Sequence, residues 1–149
     1  MASAPVVRDP SSAMPERTSS VVLLQRLEGL AVAAVAAVYY PHTGASWWLF
    51  VALWLVPDLS MLGYLASPCR GARVYNAFHT YIVPITLGLL AWLLHARGLV
   101  PFALIWINHI GVDRTLSYGL KYSTGFSWTH LGQKASIGSR LVEGKAGAR

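Results

Sequence analysis

Four long apolar stretches divide the sequence, and each is close to the length that a helix needs to cross a lipid bilayer. They cover residues 21–40, 47–66, 74–95 and 99–118. A hydrocarbon core of about 30 Å requires roughly 20 helical residues, because each residue advances a helix by about 1.5 Å. Hydrophobic residues make up 54% of the chain and charged residues only 12%, too few for a soluble surface. The sequence therefore predicts an all-α protein with four transmembrane helices.

The connections between these stretches are short. PHTGAS, SPCRGAR and ARGLVP leave little more than a turn each, and helices joined by such turns run antiparallel. We therefore expect an up-down four-helix transmembrane bundle over residues 21–133. Residues 1–20 are polar and rich in Ser and Pro, which predicts a disordered leader, and residues 134–149 predict a flexible basic tail.

The basic residues are distributed unevenly between the two sides of this bundle. Eleven of the 12 Lys and Arg residues lie on the side that holds the N-terminus, the second connection and the C-terminal segment: residues 8, 17, 26, 70, 73, 114, 121, 134, 140, 145 and 149. Only Arg97 lies on the other side. Because cytoplasmic loops are enriched in Lys and Arg, we expect both termini in the cytoplasm of a multi-pass inner-membrane protein. The basic connection and tail are then placed to contact anionic lipid.

Several classes of function are disfavoured by the same sequence. The basic residues form no face of their own, which argues against a nucleic-acid partner. The chain has no glycine-rich phosphate loop between a strand and a helix, so we expect no nucleotide cofactor. Its single cysteine, Cys69, excludes an internal disulfide and a thiolate zinc cluster.

Five ionisable residues interrupt the apolar stretches: Glu28, Asp58, His79, His109 and Asp113. Such residues are costly within a bilayer, so they tend to face the bundle interior and to pair or serve a function. Their distances from the ends of the predicted helices place all five about 8 to 14 Å from the cytoplasmic boundary. His109 and Asp113 are also four residues apart, on one helical face. We therefore expect them to converge in one layer.

This set of side chains suits a divalent metal. Imidazole nitrogen and carboxylate oxygen are the common ligands of zinc, and a bound metal would activate water as a nucleophile. The predicted metal ligands are His79, His109, Asp113, Asp58 and, from the segment FSWTHLG, His130. Asp58 and Glu28 are the predicted catalytic acid and base groups. The cofactor hypothesis is therefore a divalent metal such as zinc.

Two other interpretations use the same residues. In the first, the bundle is a small transporter or proton relay that works without metal. In the second, it is a structural membrane protein whose buried polar groups fix the helix register. The ion pairs would then be Asp113 with Arg114 or Lys121, and Glu28 with Arg26 or Arg73.

Two prolines lie inside the predicted helices. Pro57 directly precedes Asp58 in the second stretch, and Pro84 lies in the third. Proline removes a backbone hydrogen bond and bends a helix, which frees a carbonyl for another partner. The bend at Pro57 either aims the Asp58 side chain or serves packing alone.

Long parts of the chain resemble a known family. The runs WWLFVALWLVPDLSMLGYLASP, VYNAFHTYIVP, LIWINHIGVDRTLSYGLKYSTGF and THLG resemble the small bacterial membrane proteins called domain of unknown function 4260, over roughly residues 24–133. This resemblance implies a membrane protein and no established activity.

A shorter segment suggests a chemistry. HIGVDRTLSYG is similar to the His-x-x-x-Asp helix and Ser-Tyr-Gly turn of membrane-bound metal-dependent hydrolases related to zinc-dependent phospholipase C. The similarity falls on His109 and Asp113, followed by Ser117, Tyr118 and Gly119. It implies a hydrolase acting on a lipid or another phosphoester, and this is our leading hypothesis.

Overall fold

The computed structural model describes residues 19–122, 128–129 and 132–133, and this part of the chain is almost entirely helical. The α-helices are α1 (Ser19–Tyr39), α2 (Trp47–Trp54), α3 (Pro68–Phe78), α4 (Ile82–Leu93) and α5 (Val100–Thr115). Three 3₁₀ helices cover Tyr40–Thr43, Val56–Leu65 and Arg97–Leu99. Two short strands, β1 (Trp128–Thr129) and β2 (Gly132–Gln133), pair antiparallel. The predicted helical fold is confirmed, while residues 1–18 of the predicted leader and the predicted tail lie outside the described residues.

Three helical stretches are long and apolar enough to cross a bilayer: Ser20–Thr43, Trp47–Leu65 and Pro68–Leu93. They correspond to the first three predicted transmembrane helices. The fourth stretch forms α5, whose 16 residues advance only about 24 Å. Its crossing of the bilayer therefore stays a prediction.

The third of these stretches begins earlier than the sequence suggested. We predicted a basic loop over SPCRGAR, but α3 starts at Pro68 inside it. Ser67 Oγ accepts a hydrogen bond from the backbone N–H of Arg70 at 3.2 Å, and Pro68 occupies the first turn. An N-cap serine followed by proline is a strong helix start, because proline needs no hydrogen-bond acceptor there.

Helices α1 and α5 are uninterrupted and pack with their backbones in contact. A Cβ atom on Gly29 would lie 2.8 Å from the Gly111 carbonyl oxygen, and one on Gly111 would lie 2.7 Å from that of Gly29. Arg26 Nε donates to the Thr115 carbonyl at 2.7 Å, so the start of α1 lies beside the end of α5. The two helices are therefore antiparallel, and small residues permit their close approach.

The stretch Trp47–Leu65 changes its helix type part of the way along. α2 ends at Trp54, and the 3₁₀ helix Val56–Leu65 continues in its place. Pro57 causes the change, because it has no N–H to give and its ring excludes the carbonyl four residues earlier. The 3₁₀ helix advances about 2.0 Å per residue, so this stretch still covers about the thickness of a bilayer.

The stretch Pro68–Leu93 is interrupted between α3 and α4, at residues 79–81. Backbone carbonyls left without a hydrogen bond inside a membrane-spanning stretch cost free energy, because the bilayer core holds no water to bind them. Side chains of α5 supply the missing donors: Trp106 Nε1 donates to the Phe78 carbonyl at 2.7 Å, and Arg114 to the His79 carbonyl at 3.3 Å. The break is therefore stabilised by the neighbouring helix.

The distribution of side chains is typical of a membrane protein. Several alanines line the buried contacts, including Ala33, Ala36, Ala91 and Ala103. Large apolar side chains cover the outside, with Trp48 84% and Leu65 86% exposed. Small residues inside and large apolar ones outside suit helices that contact each other closely and face lipid tails.

Candidate metal centre

Four of the predicted site residues lie together at one level of the bundle: Asp58, His79, His109 and Asp113. One nitrogen or oxygen atom of each lies within 4.8 Å of the corresponding atoms of the other three. The two histidines are deeply buried, at 2% exposure for His79 and 1% for His109. The predicted layer of ionisable residues is therefore present for these four.

Each helix delivers its group in a different way. His109 and Asp113 lie one turn apart on α5, so both point to the same side of that helix. Asp58 follows Pro57 in the first turn of the 3₁₀ helix. His79 is the C-cap residue of α3, at the break before α4. Two of the four groups therefore come from the helix irregularities.

The distances between these atoms are short. His79 Nε2 lies 3.3 Å from Asp58 Oδ1, 3.5 Å from Asp113 Oδ2 and 3.3 Å from His109 Nε2. His109 Nε2 lies 3.6 Å from Asp58 Oδ1 and 3.7 Å from Asp113 Oδ2. Tetrahedral ligands with metal bonds of 2.0 to 2.2 Å lie roughly 3.3 to 3.6 Å apart. Five of the six distances are therefore close to those of a tetrahedral site.

Hydrogen bonding orients the His79 ring. His79 Nδ1 lies 3.0 Å from the Tyr75 carbonyl oxygen, to which it donates when protonated. In a neutral ring this arrangement leaves the lone pair on Nε2, the atom that faces the other three groups. Tyr75 also stacks on the ring at 3.7 Å between centroids. Metal-binding histidines commonly donate their second nitrogen in this way.

Packing holds the His109 ring. Trp54 contacts it edge-on at 5.2 Å between centroids and donates its Nε1–H to Asn108 Oδ1 at 2.8 Å. Asn108 in turn donates to the Ala33 carbonyl on α1 at 2.8 Å. His109 Nδ1 is buried near the Trp54 backbone but outside strict hydrogen-bond geometry. These contacts direct Nε2 toward the cluster.

The charges of the cluster favour a bound cation. Two carboxylates placed this close repel each other, and partial burial strengthens the repulsion. A divalent ion would balance both charges while using the imidazole nitrogens as neutral ligands. Two nitrogen and two oxygen donors suit zinc and several other divalent metals. The residues present therefore fit a metal.

The other predicted site residues do not join this cluster. Glu28 is exposed on α1, so the inward orientation that we expected is not found. The reason is rotational: its neighbour Gly29 faces α5, and successive helical residues point about 100° apart. His130 lies outside the described residues.

A cavity of about 410 Å³ lies beside the cluster, and Asp58, His109 and Asp113 form part of its wall. Lys121, which the sequence did not single out as a site residue, lines it as well and is only 7% exposed. Its backbone N–H donates to Asn76 Oδ1 at 2.7 Å, and Asn76 Nδ2 donates to its carbonyl at 2.8 Å. Asn76 therefore ties the segment after α5 to α3.

Comparisons with known proteins address the family and not the activity. A search of curated proteins and a search of solved structures returned no match. The local similarity of the α5 segment to metal-dependent hydrolases therefore stays a prediction. The family described as domain of unknown function (DUF4260) matches residues 22–134, which is most of the chain. The protein belongs to the DUF4260 family.

Proposed function

We propose that this protein holds a divalent metal, zinc by preference, inside the membrane and hydrolyses a phosphoester in or next to the lipid headgroups. One observation carries the proposal: two imidazole nitrogens and the Asp113 carboxylate oxygen lie 3.3 to 3.7 Å from one another, and the Asp58 carboxylate lies 3.3 and 3.6 Å from the two nitrogens. A structural role would require only that these groups pair. The Nε2 atoms of the two histidines lie 3.3 Å apart, and His79 Nδ1 lies against the Tyr75 carbonyl oxygen, which favours a cation shared by the two Nε2 atoms.

The four groups divide into three ligands and one acid-base group. Catalytic zinc sites commonly use three protein ligands and leave one position open. His79, His109 and Asp113 are the three ligands, since the Asp113 side chain is 17% exposed against 37% for Asp58. Asp58 lines the cavity, where it accepts the proton of the water that attacks phosphorus and returns it to the ester oxygen as the ester P–O bond breaks.

A divalent metal held by His79, His109 and Asp113 would supply a Lewis acid that lowers the pKa of a water toward about 7 and polarises a phosphoryl oxygen. The chain supplies the rest. Tyr75 and Trp54 hold the two imidazole rings in place. The surrounding apolar helices limit access to water, which strengthens electrostatic interactions within the cavity.

The proposal includes a membrane orientation. Arg97–Leu99 and α5 complete a fourth crossing, which gives a multi-pass inner-membrane protein with both termini in the cytoplasm. The support is the bias of Lys and Arg toward that side. The exposed Arg70 and Arg73, at the start of α3, then face the cytoplasmic leaflet and its anionic lipids.

The test separates metal binding from catalysis. Purified protein is loaded with zinc and assayed on short-chain phospholipids and phosphate monoesters, beside Asp58→Asn and the control Glu28→Gln. We expect all three to retain about one zinc, while Asp58→Asn loses at least about 100-fold in rate, as removal of a general base does. Full activity in Asp58→Asn, or no hydrolysis of any phosphoester by the zinc-loaded protein, would overturn the proposal.

A further inference from the structure

We propose that the cavity beside the metal centre binds the phosphate headgroup of an anionic lipid, and that Lys121 is the residue that binds it. This inference rests on the proposed function, because it names the substrate class of the same site. Three features of the described residues support it: the position of Lys121, the way its backbone is held, and the apolar mouth of the cavity.

Lys121 is placed where few lysines are found. A buried ammonium group is costly in a bilayer protein and usually serves a pairing or binding role. Its Nζ lies 5.0 Å from the centre of the Tyr75 ring, and Tyr75 stacks on the metal-site residue His79. The Tyr75 ring thus lies against both the Lys121 ammonium group and the predicted metal ligand His79. A lysine there would attract a phosphate and hold it next to the metal.

The backbone around Lys121 is built to return to the site. Ser117, just after α5, adopts a positive φ of 64°, a turn conformation that is uncommon for residues other than glycine. The paired hydrogen bonds with Asn76 then fix the Lys121 backbone against α3. Both bonds use main-chain atoms of Lys121, so substitution of its side chain leaves this attachment intact.

The mouth of the cavity indicates a lipid and not a soluble phosphate. Met61 and Leu116 line the cavity and are also exposed on the outside of the bundle. Val112 and Trp54 continue the apolar wall inward. An acyl chain arriving from the bilayer would lie against these side chains while its phosphate reaches Lys121. A free phosphate would gain nothing from them.

The experiment uses lipids whose acyl chains carry bromine, which quenches a tryptophan in contact with it. Trp54 lines the cavity. Its fluorescence is obtained as the difference between the emission of the unmodified protein and that of Trp54→Phe. The zinc-loaded protein is titrated in detergent micelles with brominated phosphatidate or brominated phosphatidylcholine. The variants are Lys121→Gln, Lys121→Arg and, as a matched control at an exposed position on the opposite side of the bundle, Arg97→Gln.

We expect phosphatidate to quench Trp54 at about tenfold lower concentration than phosphatidylcholine, the gain that one charge-assisted contact supplies. Lys121→Gln removes this preference, while Lys121→Arg and Arg97→Gln keep it. Equal quenching by both lipids, or an unchanged preference in Lys121→Gln, would overturn the assignment. Full competition by millimolar inorganic phosphate would overturn the lipid as the source of the phosphate.

The readout is binding, so it does not depend on hydrolysis. Zinc content is measured on the same samples. A Lys121-dependent preference in protein that retains no zinc would refute the proposed function and leave the headgroup site standing. Zinc-dependent hydrolysis without any effect of Lys121 on binding would refute the headgroup site alone.

Discussion

The uninterrupted helices and the interrupted ones contribute to this protein in different ways. α1 and α5 meet through Gly29 and Gly111 with backbone in contact with backbone. The stretches Trp47–Leu65 and Pro68–Leu93 each change course near the site. The continuous pair supplies a rigid support and two groups one turn apart, His109 and Asp113. Each interrupted stretch supplies one group at the position where its helix changes.

This difference shows how a bilayer protein aims single side chains. A regular helix fixes the direction of its side chains by its rotation, so one helix can direct residues one turn apart but not arbitrary ones. A break changes that direction locally, but it frees backbone groups that lipid cannot satisfy. Here the side chains of Trp106 and Arg114 on α5 donate hydrogen bonds to the carbonyls that the break after α3 leaves free. The continuous helix therefore makes the interrupted one possible.

The largest expected effect comes from removing the groups on the continuous helix. His109→Ala or Asp113→Asn should weaken zinc binding by more than about 100-fold, since changes outside the ligand set already cost 10- to 100-fold. Zinc retained after dialysis against a chelator, measured by elemental analysis, provides the check. Retention of zinc in both variants at the level of the unmodified protein would contradict the ligand assignment.

The second test separates the helices of the continuous pair. Gly111→Ala places a methyl group against the Gly29 carbonyl and Ala33, and such overpacking costs about 1 to 3 kcal/mol. Gly98→Ala is the matched control, because a Cβ there meets no atom within 4 Å. We expect a lower unfolding temperature in detergent for Gly111→Ala only. Equal unfolding temperatures for the two variants would argue against the close packing of α1 and α5.

The third test repairs an interruption. Pro57→Ala restores the backbone donor and should favour a continuous α-helix through Asp58, which turns its carboxylate away from the histidines. Zinc binding should weaken by about tenfold, the range found for changes in ligand orientation, while the fold remains stable. Pro101→Ala, at the first turn of α5 where proline is tolerated, should leave zinc binding unchanged. Undiminished binding in Pro57→Ala would show that the bend serves packing alone.

The smallest expected effect concerns Glu28. Because Glu28 is exposed on α1, Glu28→Gln should change stability by less than about 0.5 kcal/mol, as surface substitutions usually do. Zinc content and the rate of hydrolysis should be unchanged. A marked loss of zinc or of activity would indicate that Glu28 takes part in the site and would contradict its placement on the outer face.

The sequence predicted the helical class and the level of the site, because both depend on distance along the chain. The lengths of the apolar stretches and the four-residue spacing of His109 and Asp113 can be read from the sequence without knowing how the helices pack. Depth alone does not give the direction of a side chain about the helix axis. For this reason the predicted inward orientation of Glu28 is wrong. The backbone attachment of Lys121 to Asn76 joins residues 45 apart in sequence, and no local pattern indicates such a pair.

X-ray absorption at the zinc edge, on protein loaded with one equivalent of zinc, tests the central claim most directly. We expect a first shell of nitrogen and oxygen at about 2.0 to 2.1 Å with the outer-shell signal of two imidazoles, lost in the double variant His109→Ala, Asp113→Asn. Retention of less than about 0.2 equivalents of zinc after dialysis, far below what a preformed zinc site holds, would contradict the account. A spectrum without imidazole would do the same, and Asp58, His79, His109 and Asp113 would then form a polar contact and not a metal centre.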